Sequence, residues 1–157
     1  MEKNNCDCIF CKIVNGEIPC HKIWEDDKHL AFLTPFPNTE GVTVVATKDH
    51  YGSYAFDLSD DVLRDLIIAS KKVGKLIDKN IDDVGRTGLI LEGFGVNHVH
   101  SKLFPMHGTA NMKEWKIMET KENTFFKKYP GHLTSIEPHE KVSNEELEKI
   151  AKKIRGE

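Results

Sequence analysis

The longest regular pattern of apolar and polar positions lies between Ser59 and Asn80. Ser59 is a plausible N-cap, and the acidic residues Asp60 and Asp61 suit the positive end of a helix dipole. After them, apolar residues recur with the spacing of one helix face, at Val62, Leu63, Leu66, Ile67, Val73, Leu76 and Ile77. The pattern therefore predicts one long amphipathic helix that ends at about Asn80.

Two shorter helical segments are predicted near the ends of the chain. Ser143 and Glu146 form a capping box at the start of "NEELEKIAKKIRG", which predicts a last helix. Near the beginning, "CDCIFCKIVNGEIP" carries two apolar pairs that can bury one side of a short turn or helix. Gly16 and Pro19 are expected to end it.

Strand patterns occupy most of the remaining sequence up to Pro105. Short runs predict strands around Lys22 to Glu25, Leu30 to Leu33, and the β-branched Val42 to Thr47. The segment "DDVGRTG" is predicted to be a turn, followed by two strands in "LILEGFGVNHVHSKLFP" that are hinged by glycines and stopped by Pro105. This order predicts an α+β fold with an antiparallel sheet of about five strands. A Rossmann fold is excluded because no helix follows the glycines.

Composition narrows the class of protein further. The 157 residues are 39% hydrophobic and 30% charged with a net charge of −3, which is typical of one soluble globular domain. The composition shows no overall positive charge that would predict binding to nucleic acid. No apolar run is long enough to span a membrane. The opening "MEKNNCDCIFCK" lacks the apolar segment of a secretory signal, so a cytoplasmic protein is expected.

The most distinctive chemistry lies in "GVNHVHSKLFPMHG". His98, His100 and Lys102 occupy alternate positions, so in an extended strand all three lie on one face. Imidazoles and an ammonium group, preceded by Gly93 and Gly95 whose backbone N–H groups can approach an anion, favour a phosphate site. The alternative is the solvated polar face of an edge strand.

The cysteines suggest a metal site. Cys8 and Cys11 have the Cys-x-x-Cys spacing that lets two thiolates bind one zinc ion. Four cysteines would also permit disulfides in a secreted protein, but three of them crowd at the start of the chain, and a reducing compartment favours metal binding. Ordinary reduced thiols and a redox site that includes Cys6 are the alternatives, while Cys20 stands apart.

The heptad "HVHSKLF" resembles the mark of the histidine triad family, His-x-His-x-His-x-x, with lysine at the third histidine position. The resemblance extends to "CIFCKIVNGEIP", to "HLAFLTPFPNTEGVTVVATKDH" and to the long helix between, in the family's order. It implies a single domain over residues 1–157 with its core at about 8–107 and an extension at 108–157. It also implies a homodimer in which each subunit adds a strand to a continuous sheet.

The resemblance implies nucleotide chemistry at His100. In the family this histidine attacks the α-phosphorus of a nucleotide ester, anhydride or phosphoramidate and forms a nucleotidyl-histidine intermediate. The phosphate-binding candidates are Gly93, Gly95 and Lys102, with Ser101 or His107 compensating for a Gln-Ser pair that "EGFGVN" lacks. The nucleotide pocket is expected at Phe32, Leu33 and Thr34, where threonine replaces an aspartate that holds the ribose.

The resemblance also implies the rest of the metal site. Family members with the same cysteine pair complete a structural zinc site with two histidines, which match His50 and His98 here. The expected ligands are therefore Cys8, Cys11, His50 and His98. Because of Lys102 and the missing Gln-Ser pair, a catalytically weak, zinc-stabilised nucleotide-binding module is the alternative to an enzyme.

Overall fold

The computed structural model describes residues 7–110 and 141–157. Its helices and strands, in chain order, are α1 (Ile9–Val14), β1 (Lys22–Glu25), β2 (His29–Leu33), β3 (Thr43–Thr47), α2 (Asp60–Asn80), β4 (Val84–Ile90), β5 (His100–His107) and α3 (Asn144–Arg155). The five strands form one antiparallel sheet in the order β1-β2-β3-β5-β4. The predicted α+β fold is confirmed, whereas Cys6 lies outside the described residues.

Two helices cover one face of the sheet. α2 begins where its cap predicts, with the Ser59 hydroxyl accepting a hydrogen bond from the Val62 N–H, and it buries Leu66, Val73 and Ile77 completely. α3 packs against α2, and the Asn80 side chain donates a hydrogen bond to the last turn of α3. Each fully buried aliphatic side chain contributes about 1.5–3 kcal/mol, so this face holds most of the hydrophobic stabilisation. None of the described helices is long and apolar enough to cross a bilayer.

The opposite face of the sheet carries a smaller apolar cluster under α1. Its members are Phe10, Leu30, Phe32, Val44 and Ala46. Because successive strand residues point to opposite faces, β2 and β3 contribute alternate residues to each cluster and are buried along their whole length. The short α1 is therefore held on the sheet by the Phe10 side chain.

The turn predicted around "DDVGRTG" is confined to Asp82 and Asp83, because β4 already begins at Val84. In the structure, a Cβ atom on Gly85 would collide with the carbonyl oxygen of Thr109, so glycine here permits a close approach of two backbone segments.

Pro105 does not stop β5, which continues to His107. β3 pairs with β5 only as far as Leu103, so Pro105 has a neighbouring strand on one side alone. Its partner there, Thr87, adjoins a register shift in β4. At such a position the missing N–H of proline costs little pairing.

The expectation that Ser101 binds phosphate is wrong. Ser101 is fully buried on the α2 side of the sheet, and its Oγ lies 2.7 Å from Ser70 Oγ. Since the Ser70 hydroxyl donates to the Leu66 carbonyl, Ser101 donates to Ser70. The alternation of the strand turns Ser101 away from the face that carries His100.

The expectation for His107 is also wrong. It follows His100 by seven positions along β5, roughly 23 Å away, and its ring donates to the Asp83 carboxylate at 2.9 Å and to the Glu40 carbonyl at 3.0 Å. The Glu40 carbonyl, and after it Asp83, raise the pKa of His107 above its ordinary value. The hydrogen bond from His107 in turn lowers the pKa of Asp83. His107 therefore links the end of β5 to the residues that precede β4 and β3.

Replacement of Ser101 by alanine is expected to lower the free energy of unfolding by about 1 kcal/mol, because Ser70 loses its buried partner. Urea denaturation measures this loss. In a double-mutant cycle, Ser70→Ala and Ser101→Ala together should cost less than the sum of the single substitutions. Strictly additive costs, or an unchanged stability of Ser101→Ala, would contradict the contact.

The stability contributed by His107 should depend on pH. Because folding raises the pKa of His107, its contribution is complete below about pH 6.5 and is lost as pH rises through the folded-state value. Because folding lowers the pKa of Asp83, the stability that Asp83 contributes is present at pH values above the ordinary pKa of an aspartate. His107→Gln should therefore lose more stability at about pH 5.5 than at about pH 8.

The control is Asp82→Asn, which removes a neighbouring carboxylate that pairs with Lys153 at 2.9 Å. Denaturation curves of this variant should show the same small loss at both pH values. A loss in His107→Gln that is equal at both pH values, or larger in base, would contradict the assigned ion pair with Asp83.

Candidate active site and metal cluster

A cavity of about 530 Å³ opens on the α1 face of the sheet. His100 and Lys102 of β5 line it, and so does Gly95 of the preceding loop. Its other walls come from α1, β2, β3 and the start of α3, and include all three residues predicted for the nucleotide pocket, Phe32, Leu33 and Thr34. Leu33 also belongs to the main core on the opposite side of the sheet. The structure thus places the predicted pocket residues around the same space as His100.

A backbone hydrogen bond fixes the ring of His100. Its Nδ1 lies 2.7 Å from the carbonyl oxygen of His98. Because a carbonyl can only accept, Nδ1 carries the proton and the neutral ring keeps its lone pair on Nε2. Phe10 packs edge-on against the ring, with 5.1 Å between centroids. The side chain is therefore held in one orientation with an unprotonated nitrogen available for nucleophilic attack.

The surroundings favour the neutral form of His100. Burial is the largest influence and lowers the pKa of His100, against the raising effect of the hydrogen bond to His98. The positive charge of Lys102 lowers the pKa further, and the negative charge of Glu92 opposes it. A lowered pKa leaves the imidazole unprotonated at neutral pH, as a nucleophile requires.

Lys102 is paired with an acidic residue that the sequence reasoning missed. Its Nζ lies 2.9 Å from Glu92 Oε1, and the exposed fractions of the two side chains are only 12% and 9%. The contact is close but not aligned as a hydrogen bond, so this buried oxygen has no hydrogen-bond partner among the described residues. The register of β4 and β5, which pairs Ile90 with Lys102, is what brings Glu92 near, and register cannot be read from one strand alone.

The two predicted phosphate-binding glycines occupy different places. Both have a positive φ, +72° at Gly93 and +85° at Gly95, which favours glycine. Gly95 lines the cavity. Gly93 lies against the segment between β3 and α2, where an added Cβ would come within 2.8 Å of the Ser53 carbonyl oxygen. Gly93 thus serves the packing of the loop and is absent from the cavity lining, contrary to the expectation.

The four predicted metal ligands converge. The ligand atoms of Cys8, Cys11, His50 and His98 all lie within 4.8 Å of one another. His98 Nδ1 is 3.6 Å from Cys8 Sγ, 3.7 Å from Cys11 Sγ and 3.3 Å from His50 Nδ1, and Cys11 Sγ is 3.4 Å from His50 Nδ1. In a tetrahedral site, zinc bonds of about 2.3 Å to sulfur and 2.0–2.1 Å to nitrogen place a sulfur ligand about 3.6 Å from a nitrogen ligand, and two nitrogen ligands about 3.3 Å apart. The observed spacings fit a tetrahedral zinc ion.

A second hydrogen bond orients His98 toward this cluster. Its Nε2 donates to the Thr47 carbonyl at 2.8 Å, which leaves the lone pair on Nδ1, the atom that faces the cysteines. Burial lowers the pKa of His98, which again favours the neutral ring. Backbone carbonyls are common outer partners of metal-bound histidine. No local pattern predicts the contact with the Thr47 carbonyl, because it joins residues 51 positions apart.

Comparisons with known proteins identify the family of this chain. A model of the HIT domain matches residues 15–109. The adenosine 5'-monophosphoramidase hnt1 of Schizosaccharomyces pombe is 40% identical over 99 residues, which are 62% of this chain and 73% of that protein. A crystal structure of a Hit-like protein from Bartonella henselae, described as involved in cell-cycle regulation, has a TM-score of 0.65 and 26% identity, covering 96% of this chain and 95% of that one.

A further solved structure bears on the fold alone. A Zn-bound histidine triad family protein from Mycobacterium smegmatis superposes with a TM-score of 0.68, covering 96% of this chain and 91% of that chain at 18% identity. The family model spans well over half of this chain, and its range includes β1 through β5. The chain belongs to the HIT family, the histidine triad proteins.

Proposed function

We propose that this protein is a nucleotide hydrolase or nucleotidyl transferase in which His100 is the nucleophile. The observation that carries the proposal is the hydrogen bond from His100 Nδ1 to the His98 carbonyl, which leaves Nε2 as the nitrogen with a lone pair beside the cavity. Support also comes from the relative named adenosine 5'-monophosphoramidase. The substrate would be a nucleoside phosphoramidate, a dinucleoside polyphosphate or a related nucleotide.

The reaction would proceed in two displacements at phosphorus. In the first, the Nε2 lone pair forms a P–N bond while the bond from phosphorus to the leaving oxygen or nitrogen breaks, and the leaving group departs with that electron pair and takes up a proton. In the second, water or another acceptor attacks phosphorus, loses a proton and releases His100. The ring becomes positively charged in the intermediate, and the His98 carbonyl stabilises this charge at Nδ1–H.

The rest of the cavity suits a nucleotide. Apolar side chains, among them Phe10, Ile13 and Phe32, offer a surface for a base. Lys102 lies two residues after His100 on β5 and Gly95 also lines the cavity, so both are candidates to contact the reacting phosphoryl group. Substrate held in this way meets His100 in a fixed orientation, which lowers the entropic cost of the attack.

We also propose that Cys8, Cys11, His50 and His98 bind a structural zinc ion. Zinc would supply a closed tetrahedral crosslink that joins α1 and its N-cap to the segments just after β3 and just before β5. His98 then has two roles, since its Nδ1 would bind the metal while its carbonyl oxygen holds His100. The cluster would therefore hold the nucleophile in place without contacting substrate.

A nucleotide-binding module without turnover is the second candidate. The observation that favours it is the Lys102–Glu92 pair, because a compensated ammonium offers less charge to stabilise a transition state. A covalent adduct on His100 distinguishes an enzyme from a binding module.

Incubation with adenosine 5'-phosphoramidate, followed by rapid acid quench and mass spectrometry, should reveal an adenylyl group on His100. His100→Ala should lower turnover by roughly a thousandfold or more, because the nucleophile is lost. His107→Gln is the matched control on the same strand and should remain active. Nucleotide binding without any adduct, across phosphoramidates and polyphosphates, would favour the module.

The purified protein should contain about one zinc ion per chain. Cys11→Ser should lose the metal and lower the melting temperature markedly, because structural zinc contributes directly to folding. Cys20→Ser, a half-buried thiol outside the cluster, is the control and should retain zinc. Wild-type protein purified without zinc, and with a reversible Cys8–Cys11 disulfide, would support the redox alternative instead.

A further inference from the structure

The ammonium group at the reactive end of the cavity is compensated inside the protein. Lys102 Nζ lies 2.9 Å from Glu92 Oε1, and both side chains are about nine-tenths buried. Glu92 does not line the cavity itself, whereas Lys102 does. A substrate would therefore meet the ammonium of an ion pair, with a carboxylate directly behind it.

Two other described residues that carry or can carry a positive charge line the cavity, and each is either opposed by an acidic group or screened by water. The His21 ring lies 3.0 Å from the Glu148 carboxylate, so this histidine is also opposed by an acidic group. Lys141 also lines the cavity, but it is exposed, so water screens its charge. A divalent ion on two thiolates and two neutral histidines would carry no net charge either.

A cavity with this charge balance discriminates between phosphate groups. Each additional negative charge that enters must leave water, and among the described residues that line the cavity it finds no buried cation without an acidic partner. A phosphoryl group with a single negative charge needs only the Lys102 ammonium and the backbone dipoles of the Gly95 loop. A polyphosphate chain brings further charges to the same place.

We propose that Glu92 determines the substrate class by cancelling the charge of Lys102, so that the site selects nucleotides whose whole phosphate group carries one negative charge, namely phosphoramidates or diesters, over polyphosphates. This inference rests on the proposed function for the identity of the ligand. Glu92 is a specificity-determining residue that acts through Lys102 and does not touch substrate.

The test is a binding series in a His100→Ala background, which prevents turnover. The ligands are adenosine 5'-phosphoramidate, AMP, ADP and ATP, measured by calorimetry at constant ionic strength without divalent cations. They share one nucleoside and differ in the charge of the phosphate group. The Glu92-intact protein should bind the phosphoramidate more tightly than ATP.

Glu92→Gln keeps the shape of the side chain and removes its charge. The unpaired ammonium should then improve the affinity for ATP relative to the phosphoramidate by roughly tenfold. Glu92→Gln combined with Lys102→Gln removes both charges, and it should return the ratio of the two affinities toward that of the intact pair. Asp57→Asn, an exposed acid outside the cavity lining, is the control and should leave the ratio unchanged.

Two results would overturn the proposal. One is tighter binding of ATP than of the phosphoramidate by the Glu92-intact protein, and the other is a Glu92→Gln affinity ratio equal to that of the control. If Glu92→Gln does not fold, the double variant carries the test, and it must bind with the order of the intact pair. Failure to detect an adduct on His100 would sink the proposed enzyme but leave this charge series unaffected.

Discussion

The hydrogen bond from His100 Nδ1 to the carbonyl oxygen of His98 is the contact on which the site depends. It determines which ring nitrogen keeps a lone pair, and it links the proposed nucleophile to the backbone of His98, one of the four residues of the Cys/His cluster. The same residue, His98, is oriented from its far side by the Thr47 carbonyl. Two successive backbone contacts thus fix two imidazoles in opposite tautomers, one suited to a metal and one suited to phosphorus.

The sheet explains why these contacts form. β3 and β5 are paired, so Thr47 at the end of β3 lies beside the start of β5, and α1 with its N-cap brings the two cysteines and Phe10 over the same end of these strands. The α2 side of the sheet supplies the rigid core, while the α1 side is left with room for a ligand. Chemistry and stability are therefore separated onto the two faces of the same strands.

Periodicity was sufficient to predict the elements that alternate or repeat regularly. The helix over Asp60–Asn80, the strand at Lys22–Glu25 and the five-stranded antiparallel sheet follow from local patterns of apolar residues. The early start of β4 and the continuation of β5 through Pro105 do not follow from such patterns. Gly85 belongs in β4 because the Thr109 backbone approaches it closely, and Pro105 fits in β5 because it has a neighbouring strand on one side alone. The local propensities of residues do not predict contacts between segments that are distant in the sequence.

For the site, what could be predicted differed from residue to residue. The convergence of Cys8, Cys11, His50 and His98 was expected from the family resemblance, and the structure brings them together. Ser101 was misassigned although the alternation of the strand already placed it opposite His100. Glu92 left no signal, because its partnership with Lys102 arises only from strand register. Pairings across strands are thus the part of a site that a single sequence conceals.

The central claim, a neutral His100 with its proton on Nδ1, is tested most directly by nitrogen NMR of the imidazole at neutral pH, with His100→Gln to assign the signals. The account predicts a protonated Nδ1 and an unprotonated Nε2. A proton on Nε2 alone, or a ring protonated on both nitrogens, would contradict it.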